Sequence, residues 1–245
     1  MNATIDWLFD SAHWSGDTGI PARLLEHLGY TGLTVLVAVV IAVPLGAVVG
    51  HTGRGTFLVA GLSNGLRALP ELGLLTLLVL LTYVGLLPVV ISLVVLAIPP
   101  ILAGTYAGIR NVDRSVVDAA RGMGMRESNV LFQAELPNAL PLIISGIRSA
   151  TLQVIATATI AAYVSLGGLG RLVIDGHNAG AGYDGYPQMA SGAIMVAVLA
   201  LVVEGVLELA QRLVVSPGLR NTAARKRAAR LWRKPTPELV GKSTS

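Results

Sequence analysis

Cysteine is absent from the sequence, and charged residues are scarce. Of the 245 residues, 13% are charged and 53% are hydrophobic, and the mean hydropathy is +0.68. Soluble domains carry about a quarter charged residues, so the composition predicts a membrane protein whose solvent is lipid. Without cysteine the chain forms neither disulfides nor thiolate metal sites, and it has no cysteine nucleophile.

Histidine is also scarce, and its spacing excludes the common metal motifs. None of the four histidines forms an HxxxH or HExxH pattern with another. We therefore expect no metal ligand and no bound cofactor in this chain. Since it has neither a metal cluster nor a catalytic cysteine, we also expect no catalytic residue and no enzyme activity. The histidines are His13, His27, His51 and His177.

Five apolar runs approach the roughly 20 residues that cross a bilayer as a helix. We predict an all-α integral membrane protein with about five transmembrane helices. A break at Pro70 within the second run would raise the number to six if it separated two spans. The predicted spans are 30–50, 57–83, 87–109, 140–164 and 188–214.

The net charge of +4 reflects basic residues beside the apolar runs, where positive charge sets orientation in a membrane. We expect the clusters at Arg54, 110–126 and 220–234 on the cytoplasmic side, lipid as a partner and no nucleic acid. The N-terminus would then lie outside the cell membrane and the C-terminus inside. The predicted divisions are an extracytoplasmic segment 1–28, a transmembrane domain 29–215 with a cytoplasmic loop 110–138, and a basic, disordered tail 216–245.

Glycines recur four residues apart in three of the predicted spans. Such pairs let helix backbones approach closely in lipid, so they predict tight packing within the bundle, with contact to a second subunit as the alternative. The pairs are Gly46 and Gly50, Gly61 and Gly65, and Gly104 and Gly108.

The loop 110–138 is too polar to enter lipid and too patterned for a simple linker. Ser115 is placed to cap a short helix that weakens at Gly122 and Gly124. A second short helix would begin near Ser128 and end before Pro137. Small residues and flexible methionines on such a helix suit insertion into a groove on another protein, and its arginines equally suit contact with lipid headgroups.

The spacing of this loop resembles the EAA loop of permease subunits of ABC importers. That family pattern is EAA, three residues, Gly, nine residues, and then Ile-x-Leu-Pro. Here Asp118-Ala119-Ala120 is followed after three residues by Gly124, and after nine more by residues 134–137, which read AELP. Asp replaces Glu and Ala replaces Ile. Residues 135–170 also resemble permeases for glycine betaine, carnitine and choline.

The resemblance implies a type I ABC importer permease without its own ATPase site. Its partners would be a pair of cytoplasmic ATP-binding subunits that bind ATP, a second permease subunit, identical or different, and an extracytoplasmic substrate-binding protein. The loop would be the coupling helix, which carries the motion of the ATPase to the spans. The coupling residues implied are Asp118, Ala119, Ala120, Gly122, Met123, Gly124, Leu136 and Pro137.

A charged residue at the bilayer centre costs about 2.5–3.5 kcal/mol of insertion free energy, so charged residues inside a span indicate a structural or functional role. We expect Arg67 and Glu71 to pair around Pro70 and to line the translocation path, although a pair at a packing seam would satisfy the same pattern. Gln153 and Thr157 give the fourth span one mildly polar edge, and we place them on the same path.

Only 5% of residues are aromatic, so the chain has few side chains that could form an aromatic cage around a quaternary ammonium group. We therefore expect selectivity to reside mainly in the binding protein. A permease for amino acids is the alternative within the family. Outside it, the alternatives are a self-contained membrane carrier and a structural helical bundle.

Overall fold

The computed structural model describes residues 2–180 and 185–215, which fold almost entirely into helices. Within those ranges there is no β-strand, as expected for an all-α membrane protein. The predicted tail 216–245 lies outside the described residues. The α-helices are α1 Asn2–Phe9, α2 Ile20–Thr52, α3 Thr56–Arg67, α4 Glu71–Leu81, α5 Leu86–Arg110, α6 Arg114–Gly122, α7 Glu127–Asn129, α8 Leu136–Thr157, α9 Gly170–Asn178 and α10 Gly185–Val214.

Three shorter helical segments connect or extend these elements. A 3₁₀ turn, Ser11–Trp14, follows α1. A π-helical segment, Val130–Glu135, joins α7 to α8, and a 3₁₀ segment, Ala158–Val164, extends α8. Because of these links, Glu127–Val164 is one nearly continuous helical unit of 38 residues.

Four helical units are long and apolar enough to cross a membrane, namely α2, α5, Glu127–Val164 and α10. Helices α3 and α4 have 12 and 11 residues, and they meet at a bend of 87°. At 1.5 Å per residue each is less than about 20 Å long, whereas the bilayer core is about 30 Å thick. The pair therefore counts as one broken span at most, so the described residues contain four spans, or five if the bent pair is one, and not six.

The first span begins earlier than its apolar run suggests. Helix α2 starts at Ile20, with Pro21 in its first turn, where a missing backbone N–H costs little. Its first nine residues thus belong to the segment 1–28 that we expected to precede the spans. The loop that follows the fourth span contains a helix, α9.

Helix α5 forms the centre of the bundle, between α2 and α8. Four of its side chains, spaced by about one turn, are fully buried: Val89, Leu93, Ala97 and Ile101. By contrast, most of α10 faces outward and exposes Val198, Leu201 and other apolar side chains. An apolar outer face is expected where lipid or another subunit, rather than water, surrounds the helix.

Glycines allow α2, α5 and α8 to approach closely. A β-carbon added at Gly46 of α2 would lie 2.8 Å from Cβ of Thr105 on α5, and one added at Gly104 of α5 would lie 2.8 Å from the carbonyl oxygen of Leu142 on α8. The predicted tight packing is therefore present for the pairs that contain these two glycines. An added β-carbon at Gly61 or Gly65 meets nothing within 4 Å, so that pair has no packing role in this chain.

We predict that Gly46→Ala destabilises the protein, because the added methyl group must displace Thr105 or the backbone of Leu102. Overpacking of this kind costs typically about 1–3 kcal/mol. Gly61→Ala is the matched control, since its methyl group enters open space in a helix. Thermal unfolding in detergent micelles should show a lower midpoint for Gly46→Ala than for Gly61→Ala, and equal midpoints would contradict the packing account.

Candidate functional site

The site is built on the loop 110–138, which we call the EAA loop. Its first helix, α6, begins after Asp113, whose Oδ1 accepts a hydrogen bond of 3.0 Å from the backbone N–H of Ser115. The hydroxyl of Ser115 donates to the same oxygen at 2.9 Å. The prediction that Ser115 caps this helix is therefore wrong. Asp113 precedes the helix and presents the acceptor that its free N–H groups need.

Helix α6 ends in a Schellman motif. The N–H of Gly124 bonds to the carbonyl of Arg121 at 2.9 Å, and the N–H of Met125 bonds to the carbonyl of Ala120 at 3.3 Å. Gly124 has φ +81°, the left-handed conformation that this motif requires and that glycine adopts without steric cost. The glycine of the EAA pattern thus has a structural reason, which is to end α6 and turn the chain.

One side of α6 faces the protein and the other is open. Ala120 is 4% exposed and packs with Val130 and Ala134 of the following π-helical segment. Met123 is 75% exposed, although it is a large apolar side chain. The other residues of the predicted coupling set that are exposed are Asp118, Ala119, Gly122, Gly124 and Pro137, and Leu136 is half-buried.

The second half of the EAA loop does not end before Pro137, as its sequence predicted. Helix α7 passes through the π-helical segment Val130–Glu135 directly into α8, and Pro137 lies in the first turn of α8. Proline has no N–H to donate to the preceding turn, and π turns are a common irregularity at such breaks. The loop is therefore joined rigidly to the fourth span, with no second linker between them.

His51, in the last turn of α2, connects that helix to the EAA loop. Its Nδ1 lies 2.6 Å from Oε2 of Glu135, and its Nε2 lies 3.2 Å from Oε2 of Glu127. The Glu135 side chain is 7% exposed and that of Glu127 is 60% exposed. Sequence reasoning missed this contact, because 84 residues separate His51 from Glu135 and no local pattern links them.

Arg121 extends this network into α6. Its Nε and one terminal nitrogen donate to the two carboxylate oxygens of Glu127, both at 2.9 Å, which is the bidentate geometry of strong arginine–carboxylate pairs. These hydrogen bonds raise the pKa of the Arg121 guanidinium, so it remains charged. Arg121, Glu127, His51 and Glu135, which we call the His51 network, thus join α6, α7, α2 and the π-helical segment.

The opposite end of α2 is also tied to the chain around α8 and α9. His27 is fully buried, and its Nε2 lies 2.9 Å from the carbonyl oxygen of Ile155. Glu26 accepts a hydrogen bond of 2.7 Å from the backbone N–H of Gly168, which has φ +87°. A β-carbon at Gly167 would lie 1.9 Å from Oε2 of Glu26, so glycine is required for this approach.

A charged contact also joins α8 to α10. Arg148 forms an ion pair with Glu204, and it donates to the side-chain oxygen of Gln211 at 2.7 Å. Both carboxylate and amide lie on α10, so this arginine is satisfied within the bundle rather than left unpaired in lipid.

The predicted pair between Arg67 and Glu71 is not formed. Arg67 is the exposed last residue of α3, whereas Glu71 begins α4 beyond the 87° bend. No ion pair joins them in the described residues, and Oε1 of Glu71 is buried there without a hydrogen-bond partner. The bend at Pro70 separates side chains that a continuous helix would have placed on one face.

Gln153 and Thr157, the other candidates for a translocation path, are both half-buried on α8. They are four residues apart, so they lie on the same face of that helix. Their position on one edge agrees with the sequence pattern, and their role in transport stays a prediction.

The sequence also contains a GxSxG pattern at 61–65, the arrangement of a serine-hydrolase nucleophile. Ser63 lies inside α3, however, and not on the sharp turn between a strand and a helix that such a nucleophile requires. The pattern therefore indicates no nucleophile here.

We predict that Gly124→Ala loosens the end of α6, because a left-handed conformation costs a non-glycine residue about 1–2 kcal/mol. Gly122→Ala should instead strengthen the helix by about 1 kcal/mol, since its φ is not positive and no atom lies within 4 Å of the added methyl group. Amide hydrogen exchange of α6 should be faster in the first variant and slower in the second. Equal exchange rates in both would contradict the Schellman assignment.

Comparison with known proteins agrees with this architecture. Residues 35–216 match the family model described as binding-protein-dependent transport system inner membrane component. The fold is similar to that of a chain from the MetNI methionine ABC transporter in inward-facing conformations. That match has a TM-score of 0.69 and 22% identity, and it covers 79% of this chain and 95% of that one.

Two curated relatives match at higher identity. The choline transport system permease protein OpuBB of Bacillus subtilis is 34% identical over 200 residues, which cover 81% of this chain and 90% of that protein. The osmoprotectant import permease protein OsmW of Salmonella typhimurium is 31% identical over 223 residues, which cover 89% and 99% respectively. With a family model matching most of its length and relatives above 30% identity, the chain belongs to the inner membrane components of binding-protein-dependent transport systems.

Proposed function

We propose that this chain is the permease subunit of an ATP-driven importer of osmoprotectants, small solutes such as choline, carnitine and glycine betaine. The observation that carries the proposal is the EAA loop, whose spacing matches that of importer permeases and whose first helix exposes Asp118, Ala119, Gly122 and Met123. The identity with permeases named for choline and for osmoprotectants supports this class of cargo. A further relative named for carnitine transport, from Listeria monocytogenes, is 33% identical over 83% of this chain.

The exposed side of α6 suits a groove on an ATP-binding subunit. Small side chains at Ala119 and Gly122 allow close approach, and the flexible side chain of Met123 fills irregular space. The neighbouring Asp118 matches the acidic position of the family pattern. The Schellman motif and the His51 network hold the same helix in place. A displacement of α6 by a partner would therefore be transmitted to the spans, because the loop is not free to deform.

The cycle that we propose is alternating access. Closure of two ATP-binding subunits moves the EAA loops of two permease subunits, which rock from inward-facing to outward-facing and then return. An extracytoplasmic binding protein delivers the solute. ATP is bound by the partner subunits, and this chain contributes movement and a path.

The orientation follows from the distribution of basic residues. The EAA loop carries Arg110, Arg114, Arg121 and Arg126, and the first loop carries Arg54, so both belong on the cytoplasmic side of the cell membrane. Helix α1, the start of α2 and helix α9 then face the outside, where the binding protein docks. The C-terminal tail is cytoplasmic in this arrangement.

We place the translocation path along Arg67, Pro70 and Glu71 at the bend between α3 and α4, and along Gln153 and Thr157 on α8. The bend exposes polar backbone, which in lipid is tolerated only where it faces protein or water. A carboxylate at Glu71 suits a quaternary ammonium group as it passes. Selectivity among solutes rests mainly with the binding protein.

The first test of this function is co-purification of the partners. We predict that an ATP-hydrolysing subunit accompanies the tagged chain from native membranes, and that Gly122→Trp reduces the amount recovered at least about tenfold, since the indole would fill the docking face. Gly122 is a better site than Gly124, because its backbone accepts any side chain. Gly29→Trp, the same substitution at an exposed glycine of α2 outside the EAA loop, is the matched control. Recovery of no ATPase with the wild type would refute the importer assignment.

The path is tested by uptake into proteoliposomes that contain the permease, its ATP-binding subunit and its binding protein. We predict that Glu71→Gln lowers the uptake of choline about tenfold, because it removes a charge that a cationic solute would contact in a poorly hydrated region. Glu208→Gln, which removes an exposed carboxylate paired with Arg212, is the control. Unchanged uptake and unchanged pH dependence in Arg67→Gln, Glu71→Gln and the double variant would exclude the path role.

A further inference from the structure

His51 has a carboxylate on each side of its ring. Each ring nitrogen lies within 3.2 Å of a carboxylate oxygen, of Glu135 on one side and of Glu127 on the other. The contact with Glu135 is a hydrogen bond, and Glu127 lies at ion-pair distance from the other ring nitrogen. One side chain of α2 therefore lies between two carboxylates of the EAA loop.

The two carboxylates belong to different parts of the EAA loop. Glu127 begins α7, just after the Schellman turn, and it holds Arg121 of α6 with two hydrogen bonds. Glu135 ends the π-helical segment and is almost entirely buried. A cavity of about 290 Å³ beside them is lined by three further charged side chains, Arg110, Arg114 and Asp118. His51 is thus the contribution of α2 to a charged cluster otherwise formed by the loop.

Helix α2 connects this cluster to the opposite end of the bundle. It is a single helix of 33 residues, from Ile20 to Thr52, with one proline in its interior, Pro44. At its far end, Glu26 and His27 hold the backbone of Gly168 and Ile155. If the EAA loop moves and displaces His51, α2 moves with it. The movement of α2 would then displace the chain segment that follows α8.

We propose that His51 is the positioning residue through which movement of the EAA loop is transmitted to α2, and through α2 to the outer segment around Gly168. This inference rests on the proposed function, since it assigns a residue to the coupling of ATP hydrolysis with transport. It adds a second connection between loop and spans, beside the direct continuation of the loop into α8. His51 touches neither nucleotide nor solute.

A merely structural role for His51 would lower transport and ATP hydrolysis together, whereas a coupling role separates them. The experiment measures both activities in the same proteoliposomes, with the complete transporter and radiolabelled choline or glycine betaine. His51→Gln keeps a similar volume and a hydrogen-bonding group, but it loses the ring whose two nitrogens lie next to Glu135 and Glu127. We expect the number of solute molecules transported per ATP to fall about tenfold, with hydrolysis reduced less than about twofold.

The control is Arg54→Gln, which also replaces a basic side chain near the end of α2, but at an exposed position. It should leave the ratio of transport to hydrolysis unchanged. If His51→Gln keeps the wild-type ratio, or if uptake and hydrolysis fall in the same proportion, the coupling role is wrong. If His51→Gln yields no assembled complex, Glu127→Gln decides the question, because its side chain is largely exposed: a lower ratio supports the proposal and an unchanged ratio overturns it.

A second measurement does not depend on the cargo. Hydrogen exchange in the assembled complex should show that ATP still protects residues 114–129 in His51→Gln, while the change that ATP causes at residues 165–170 in the wild type is lost. A retained change at 165–170 would overturn the proposal. If the wild type transports no osmoprotectant, yet ATP changes exchange at residues 165–170 in the wild type and not in His51→Gln, the cargo assignment fails and the role of His51 is supported.

Discussion

The close contact of α5 with α2 on one side and α8 on the other is the constraint on which the rest of the structure depends. Lipid gives helices no hydrophobic reason to associate, so association requires backbones that approach closely and pack well. Gly46, Gly104 and Gly146 provide that approach, since a β-carbon at any of them would lie within 2.8 Å of a neighbouring helix. Once these three helices are locked together, the short elements at both ends of the bundle have fixed supports.

The EAA loop illustrates how a surface can be both exposed and rigid. Helix α6 is short and largely open on one side, and such a helix is marginal by itself. Its start is capped by Asp113, its end is closed by Gly124, and its inner face is covered by Val130 and Ala134. After the turn at Gly124, α7 and the π-helical segment continue directly into α8. A partner that binds the open side therefore acts on the bundle as a whole.

The charged groups of the bundle are placed where they connect elements. His51 joins α2 to the EAA loop, Glu26 joins α2 to the segment around Gly168, and Arg148 joins α8 to α10. Charges in a poorly hydrated region are costly unless paired, and such pairs hold one arrangement of helices against others. In a protein that alternates between two arrangements, these contacts are the natural places for the change to be transmitted.

The sequence by itself determined the membrane class, the approximate positions of four spans, the EAA spacing and the glycine pairs at Gly46 and Gly104. Composition, length and local spacing determine these features because they act through backbone geometry that neighbouring residues share. It misplaced the cap at Ser115 and the end of the second loop helix, where Asp113 and a π-helical segment prevail. Only the tertiary structure decided that Arg67 and Glu71 part at an 87° bend and that His51 meets Glu135 across 84 residues. Contacts of that kind depend on the rotation and register of packed helices, which are set by the whole bundle and by no local pattern.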